Sequence, residues 1–144
     1  MLYLKILGLN NNMNNGDWLS KNDLYVKIYY GTQTRRTTVL WDNNKPIWNE
    51  SFLFNVSIKE EITFEICDED KYSKSEILKK YKINVGLGRI EKIKTDFLDI
   101  EMGMINYKEK AEIMNLRFKN IDQQKRIERQ SEAINQIKTL CYNI

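Results

Sequence analysis

Residues 42–56 read DNNKPIWNESFLFNV, and this stretch decides how the chain folds. Its polar first part ends at Pro46 and is typical of a loop, because Asp, Asn and Pro favour turns. Further along, Phe52, Phe54 and Val56 occupy alternate positions, which is the period of a β-strand that buries one face. The stretch therefore predicts a loop that leads into a half-buried strand.

The same period of two recurs on both sides of this stretch. The alternating runs are short and polar turns separate them, a pattern typical of an antiparallel sandwich. The runs are defined by Leu2, Leu4 and Ile6; Leu24, Val26, Ile28 and Tyr30; Thr37 and Val39; Ile62, Phe64 and Ile66; Tyr81, Ile83 and Val85; the segment FLDIEM; and Met114, Leu116 and Phe118 of EIMNLRF. The sequence predicts an all-β fold of seven or eight strands.

The pattern changes in the last part of the chain. The segment DQQKRIERQSEAINQIKTL contains no Gly or Pro and is rich in helix formers. Ile127, Ile134 and Ile137 fall near one face of the predicted helix, so that the helix is amphipathic. We expect a β-sandwich in residues 1–120 and a C-terminal α-helix in residues 121–144.

The composition of the 144 residues excludes several classes of chemistry. The chain has no histidine, which rules out Ser-His-Asp and Cys-His nucleophiles and histidine-bound zinc. Cys67 and Cys141 form neither a CxxC pair nor a disulfide framework, and this favours a cytoplasmic location. No apolar run approaches the roughly 20 residues that span a bilayer. We expect a binding protein that is not an enzyme and has no nucleic-acid partner.

Two acidic clusters lie on either side of the strand-like segments. GDWLSKND contains Asp17 and Asp23, and DEDKYSKSE contains Asp68, Asp70 and Glu76. If the fold brings the clusters together, their carboxylates repel one another unless a cation lies between them. Carboxylate oxygens are the ligands that Ca²⁺ prefers. The clusters are therefore either a calcium site or acidic loops that remain solvated.

An EF-hand does not account for the second cluster. In DEDKYSKSEILK the sixth position is Ser73, where an EF-hand needs glycine, and the twelfth is Lys79, where it needs a bidentate glutamate. The flanking segments also have the period of strands. A calcium site here must combine two separate loops.

Three motifs, taken in order, resemble the C2 domain family. They are the two aspartates six residues apart that lead into NDLYVK, the PxWNE of KPIWNE, and the Asp-x-Asp that begins at Asp68 with a further acid eight residues later. The resemblance covers residues 1–90 well and residues 91–120 by pattern only. It implies an eight-stranded antiparallel Greek-key sandwich, in the second of the family's two strand orders.

The resemblance also implies a set of site residues. The calcium ligands are Asp17, Asp23, Asp68 and Asp70, with Glu76 as an outer ligand and the carbonyl groups of Gly16 and Glu69. Membrane contacts are expected from Trp18, Lys71 and Tyr72, and an anionic-lipid patch from Lys27, Arg35 and Arg36. The alternatives are that Trp18 packs against the end of the sandwich and that the basic side chains are only solvated.

The function implied by the resemblance is calcium-dependent binding to anionic phospholipid membranes, as a targeting or adaptor module with a peripheral location. The alternative is a calcium-independent protein-interaction domain that acts through the sandwich surface and the C-terminal helix. In that case the segment 122–141 binds a protein partner or a second copy of the chain. The simpler expectation for this helix is that it packs back on the sandwich.

Overall fold

The computed structural model describes residues 1–13, 21–56, 61–70, 74–86 and 88–142, apart from the side chains of residues 136 and 139–142. Within these ranges the chain forms eight strands and one helix. They are β1 (Leu2–Leu9), β2 (Leu24–Tyr30), β3 (Gln33–Arg36), β4 (Ile47–Phe54), β5 (Glu61–Asp68), β6 (Glu76–Asn84), β7 (Glu91–Lys94), β8 (Leu98–Met104) and α1 (Tyr107–Tyr142).

The strands form two four-stranded antiparallel sheets. Sheet A has the order β4-β1-β8-β7, and sheet B has the order β3-β2-β5-β6. Three of the six neighbouring pairs, β2–β3, β5–β6 and β7–β8, are consecutive in sequence, and the other consecutive strands are joined by connections that cross from one sheet to the other. The predicted eight-stranded antiparallel sandwich with a C-terminal helix is confirmed.

Alternate side chains of the strands fill the core of the sandwich. Among the described residues of this core, the largest side chains without solvent exposure are Phe54, Phe64, Leu2, Leu4, Ile6, Leu24, Ile28, Ile62, Ile66, Leu98 and Ile100. Each large apolar side chain that is removed from water contributes about 1.5–3 kcal/mol. The period of two in the sequence thus correctly identified the inward-facing residues of β1, β2 and β5.

The prediction of the last strand, over EIMNLRF, was wrong. EIMNLRF, with Met114, Leu116 and Phe118, lies inside α1, and the strand that completes sheet A is β7. β7 has only four residues, EKIK, which is too short to give a clear alternation. The apolar residues of EIMNLRF fit the helical period as well as the strand period, so the pattern alone could not decide between them.

A reciprocal cap starts α1 much earlier than predicted. The N–H of Glu109 donates to Asn106 Oδ1 at 2.9 Å, and the N–H of Asn106 donates to Glu109 Oε2 at 2.7 Å. This capping box satisfies main-chain donors at the start of the helix. The compact unit of the sandwich ends at Ile105, so the predicted division at residue 120 falls inside the helix. No helix in the described ranges is both long enough and apolar enough to cross a bilayer.

Gly103 in β8 lies directly against the segment that precedes β7. A Cβ atom at this position would lie 2.5 Å from the main-chain N and Cα atoms of Ile90. Side chains cannot approach a backbone so closely, so glycine is required here for steric reasons.

We therefore expect Gly103→Ala to lower the free energy of unfolding by about 1–3 kcal/mol, because the new methyl group must push the backbone of Ile90 away. Urea denaturation measures the change. Gly86→Ala is the matched control, since nothing lies within 4 Å of a Cβ at that position. Equal stabilities for the two variants would contradict the close approach seen at Gly103.

Glu65 is a nearly buried carboxylate on β5. Its Oε1 atom lies 2.8 Å from Lys80 Nζ, and its Oε2 atom accepts a hydrogen bond from the Tyr29 hydroxyl at 2.8 Å. Burial alone raises the pKa of Glu65. The hydrogen bonds from Lys80 and Tyr29, together with the positive charge of Lys80, outweigh burial and hold this pKa below its ordinary value.

A carboxylate whose pKa is lower in the folded than in the unfolded protein stabilises the fold above its unfolded pKa, and this contribution disappears as pH falls through the folded pKa. We expect Glu65→Gln to be less stable than the parent at pH 7 and the difference to shrink below about pH 4. Thermal unfolding across this range measures it. Glu61→Gln is the control, because its carboxylate pairs with Lys82 at the exposed surface. A difference that stays constant down to about pH 3 would show that the charge of Glu65 is not the cause.

Candidate calcium and membrane site

The register of sheet B brings Asp23 of the first acidic cluster to the same end of the sandwich as Asp68 and Glu76 of the second. Leu24 at the start of β2 pairs with Asp68 at the end of β5, and Asp68 pairs with Glu76 at the start of β6. The N–H of Asp23 donates to Asp68 Oδ1 at 2.7 Å, and the N–H of Glu69 donates to the Asp23 carbonyl oxygen at 2.8 Å. Two aspartates that are 45 residues apart in sequence are thus held side by side.

The loop between β3 and β4 also reaches the acidic cluster. The N–H of Asp42 donates to Asp23 Oδ1 at 2.8 Å. Asp42 has φ 52°, a left-handed conformation that Asp tolerates better than most residues. Main-chain donors therefore engage Oδ1 of both Asp23 and Asp68, whereas neither Oδ2 atom has a hydrogen-bond partner among the described residues.

Asn22 joins the first acidic segment to the β3–β4 loop. Its Nδ2 donates to the carbonyl oxygen of Met13 at 2.6 Å, and its N–H donates to Asn44 Oδ1 at 2.8 Å. Its own carbonyl oxygen accepts from the N–H of Asn43 at 2.9 Å. Asn22 is buried, so these bonds fix the position of its neighbour Asp23. This role is not visible in the sequence, because an Asn in an Asn-rich loop carries no distinguishing signal.

The WNE residues of KPIWNE fasten β4 to the segment that follows β3. Trp48 Nε1 donates to the carbonyl oxygen of Thr38 at 3.0 Å, and Glu50 Oε1 accepts from the N–H of Thr38 at 3.0 Å. Between them Asn49 has φ 52° at a β-bulge in the β1–β4 ladder. The motif thus determines where the β3–β4 loop begins its path towards Asp23.

The structure places some of the predicted ligands and does not describe others. Asp23 and Asp68 are in contact, and Glu76 is the partner of Asp68 in the ladder. The predicted ligands Gly16 and Asp17 and the predicted membrane contacts Trp18, Lys71 and Tyr72 lie outside the described residues. Within the described ranges, no three carboxylates or thiols lie close enough to hold a metal ion.

Glu69 lies between the acidic cluster and the basic surface of sheet B. Its Oε2 atom accepts a hydrogen bond from the Ser75 hydroxyl at 3.2 Å and lies 4.0 Å from Arg36 Nη1. Its main-chain N–H binds Asp23, as described above. The side chain of Glu69 is therefore directed to Ser75 and Arg36, and only its main chain is tied to Asp23.

The three basic residues of the predicted patch do not share one face. Lys27 pairs directly with Arg36 across the β2–β3 ladder, so these two lie on the outer face of sheet B. Arg35 has the opposite orientation, since it pairs with the buried Ile28 and its Cζ atom lies 5.8 Å from the centre of the Phe54 ring. The outer face therefore carries Lys27 and Arg36, without Arg35.

Lys27 and Arg36 also have a structural role. Lys27 Nζ lies 5.6 Å, and Arg36 Cζ 5.4 Å, from the centre of the Tyr25 ring, which is almost completely buried. The same cross-strand row continues through Glu65 to Lys80. Part of the positive charge of this face is thus balanced by Glu65, and part of its basic side-chain surface covers an aromatic ring.

Comparison with known proteins agrees with this architecture. The family model of the C2 domain matches residues 1–99. Human perforin-1 is 53% identical over 34 residues, which are 24% of this chain and 6% of perforin-1. The first curated relatives are therefore much longer than the segment that this chain matches.

Two solved structures show the same fold. Human GIVD cytosolic phospholipase A2, in complex with methyl gamma-linolenyl fluorophosphonate, superposes with a TM-score of 0.63 at 26% identity and covers 73% of this chain and 17% of the phospholipase. The calcium-bound pair of C2 domains of extended synaptotagmin 2 superposes with a TM-score of 0.55 at 21% identity. This match covers 70% of this chain and 44% of the synaptotagmin chain. With the two-sheet topology and the match over residues 1–99, these findings show that the chain belongs to the C2 domain family.

Proposed function

We propose that this chain binds anionic phospholipid membranes in a calcium-dependent manner, as a peripheral targeting or adaptor module. The observation that carries the proposal is the contact between Asp23 and Asp68, whose Oδ2 atoms have no hydrogen-bond partner in the described part of the chain. Membrane or lipid binding is the general property of the family. Its dependence on calcium and on anionic lipid is what we propose here.

The donor set suits calcium better than a transition metal. It consists of hard carboxylate oxygens on two loops, and Ca²⁺ accepts about six to eight such ligands in flexible geometry. Asp23 and Asp68 are the central ligands in this proposal, and Asp70 and Glu76 lie on the adjoining segment. Asp17, together with the carbonyl groups of Gly16 and Glu69, completes the proposed protein ligands.

Calcium would change how the loops interact with an anionic bilayer. Without the ion, the carboxylates at this end of the sandwich repel lipid phosphate groups. Each bound Ca²⁺ adds two positive charges and leaves coordination positions that phosphate oxygens can fill. The proposed contacts of Trp18, Lys71 and Tyr72 would then lie at the level of the lipid head groups. Lys27 and Arg36 add a weaker, calcium-independent attraction.

The comparisons support a binding module in place of an enzyme. C2 domains are typically non-catalytic modules, and the phospholipase matches this chain over only 17% of its own length. The extended synaptotagmin 2 domains were solved with calcium bound. A calcium-binding member of the same fold makes a calcium-dependent role reasonable for the carboxylates of this chain.

The double substitution Asp68→Asn with Asp70→Asn tests the proposal. We expect about a tenfold or larger increase in the calcium concentration needed for the protein to pellet with phosphatidylserine vesicles, because two charged ligands are lost. The melting temperature without calcium should stay close to that of the parent, since the new amide at position 68 keeps an oxygen that can accept the hydrogen bond from the N–H of Asp23.

Glu61→Gln with Glu91→Gln is the matched control, because it removes the same charge from two exposed residues outside the acidic clusters, and Glu61 lies at the opposite end of β5 from Asp68. This control should pellet like the parent. Unchanged pelleting by the Asp68 and Asp70 variant, or no calcium binding below about 1 mM with or without vesicles, would contradict the proposal.

A protein-interaction role for α1 is the second candidate. The helix has 36 residues, corresponding to about 54 Å. Its exposed large apolar side chains are Tyr107, Met114, Leu116, Phe118, Ile121, Ile127, Ile134 and Ile137. At 3.6 residues per turn, one stripe consists of Tyr107, Met114, Phe118 and Ile121, and a second stripe on roughly the opposite face consists of Leu116, Ile127, Ile134 and Ile137. Such exposed stripes are typical of a helix that binds another protein.

If the partner is a second copy of this chain, light scattering at about 100 μM should show a dimer, and Ile127→Ser with Ile134→Ser should shift it to monomer, because both substitutions remove apolar contact from one stripe. Lys125→Ser with Glu132→Ser, on the other side of the helix, should leave the dimer intact. A parent chain that is monomeric at this concentration excludes self-association.

A further inference from the structure

A groove on the outer face of sheet A lies apart from the acidic cluster and from the Lys27 and Arg36 face. It encloses about 520 Å³, within the range of small-molecule sites in proteins. The lining residues are Leu7, Gly8, Leu9, Lys45, Ile47, Asn49, Lys92, Ile93, Lys94 and Asp99. Its surface thus combines aliphatic side chains with three ammonium groups and one carboxylate.

The groove exists because the β1–β4 ladder is irregular at Gly8. The pairing register shifts between Ile6 and Gly8, and the N–H of Leu9 donates to the Pro46 carbonyl oxygen at 3.0 Å. A Cβ on Gly8 would lie 2.8 Å from that same oxygen. The close approach directs Ile47 outwards, where it is 70% exposed, and leaves an apolar edge along the groove.

The charges of the groove favour an anion. Lys45, Lys92 and Lys94 form no ion pair with any described residue, and no described residue accepts a hydrogen bond from their ammonium groups. Lys94 lies directly across the β7–β8 ladder from Asp99, and Lys92 lies directly across from Glu101, which is not part of the lining. Among the lining residues, Asp99 is the carboxylate that opposes the three positive charges. The lining therefore has a net charge of two positive units beside exposed aliphatic surface, which is complementary to an anionic head group joined to an acyl chain.

One loop connects the groove to the proposed calcium site. Asp42 binds Asp23 through its N–H, and three residues later Lys45 lines the groove. Lys45 therefore brings one wall of the groove to the end of the sandwich that carries the acidic cluster. A bilayer that contacts this end can present a lipid to both places.

We propose that this groove binds one anionic phospholipid molecule, with the head-group phosphate near Lys45, Lys92 and Lys94 and the first acyl carbons on Ile47 and Leu7. The contact needs no calcium, because the lining contributes ammonium groups to the phosphate directly. This goes beyond the proposed function, in which calcium bridges carboxylates and lipid.

The test uses the full chain in excess chelator and dihexanoyl phosphatidate, a lipid that stays soluble below its micelle concentration. Amide shifts in two-dimensional NMR should be largest at Leu7, Ile47 and Ile93. Lys92→Gln with Lys94→Gln should lower the affinity for the lipid by about tenfold or more, because two charges next to the phosphate are lost. Lys119→Gln with Lys125→Gln removes the same charge from α1 and should change the affinity less than about twofold.

Inorganic phosphate and Ile47→Ser separate a lipid site from a free-anion site. Phosphate alone should bind more weakly than the lipid. Ile47→Ser should lower the affinity for the lipid and leave the affinity for phosphate unchanged, because only the lipid contacts the aliphatic edge. Equal binding of phosphate and lipid, no effect of Ile47→Ser, or shifts confined to the Lys27 and Arg36 face would overturn the proposal. Since calcium is absent throughout, none of these outcomes contradicts the proposed calcium-dependent binding to membranes.

Discussion

The register between β2 and β5 is the constraint on which the candidate site depends. Pairing of Leu24 with Asp68 sets Asp23 beside Asp68, and two main-chain N–H groups hold the contact. A slip of one residue would turn the buried residues Val26 and Ile28 to the solvent, so the hydrophobic core strongly disfavours it. The burial of apolar side chains therefore fixes the positions of Asp23 and Asp68. Their negative charges repel each other, so electrostatic interactions alone would not bring them together.

Main-chain hydrogen bonds make this arrangement tolerable without an ion. The N–H groups of Asp23 and Asp42 each donate to an aspartate Oδ1 atom, and bonds of this kind stabilise ionised carboxylates. Asp23 and Asp68 are thus held together by donors that do not compete for their Oδ2 atoms. Since the sandwich and the buried Asn22 set the position of Asp23, a cation bound by Asp23 and Asp68 would lose little binding energy to the ordering of these two residues.

Much of the sandwich could be predicted from sequence, because period-two alternation reports directly which strand residues face the core, as Leu2 and Leu4 show. The pattern failed where the element is short, as in β7, or where helix and strand periods coincide, as around Leu116. The candidate site was less predictable, because contacts between distant side chains have no local pattern. The orientation of Arg35 depends on its register with a neighbouring strand, and the bonds of Asn22 depend on separate loops.

The β3–β4 loop reaches the acidic cluster at one position and the basic groove at another. Asp42 touches the acidic cluster, whereas Lys45 belongs to the basic groove, and both lie at the same end of the sandwich. Near an anionic surface the lysines attract while the uncompensated carboxylates repel, so the two effects partly cancel before any ion binds. Neutralising the carboxylates would remove only the repulsive part, and the attraction of the groove would then add to the bridging by the ion. The two sites together would therefore hold an anionic membrane more tightly than either would alone.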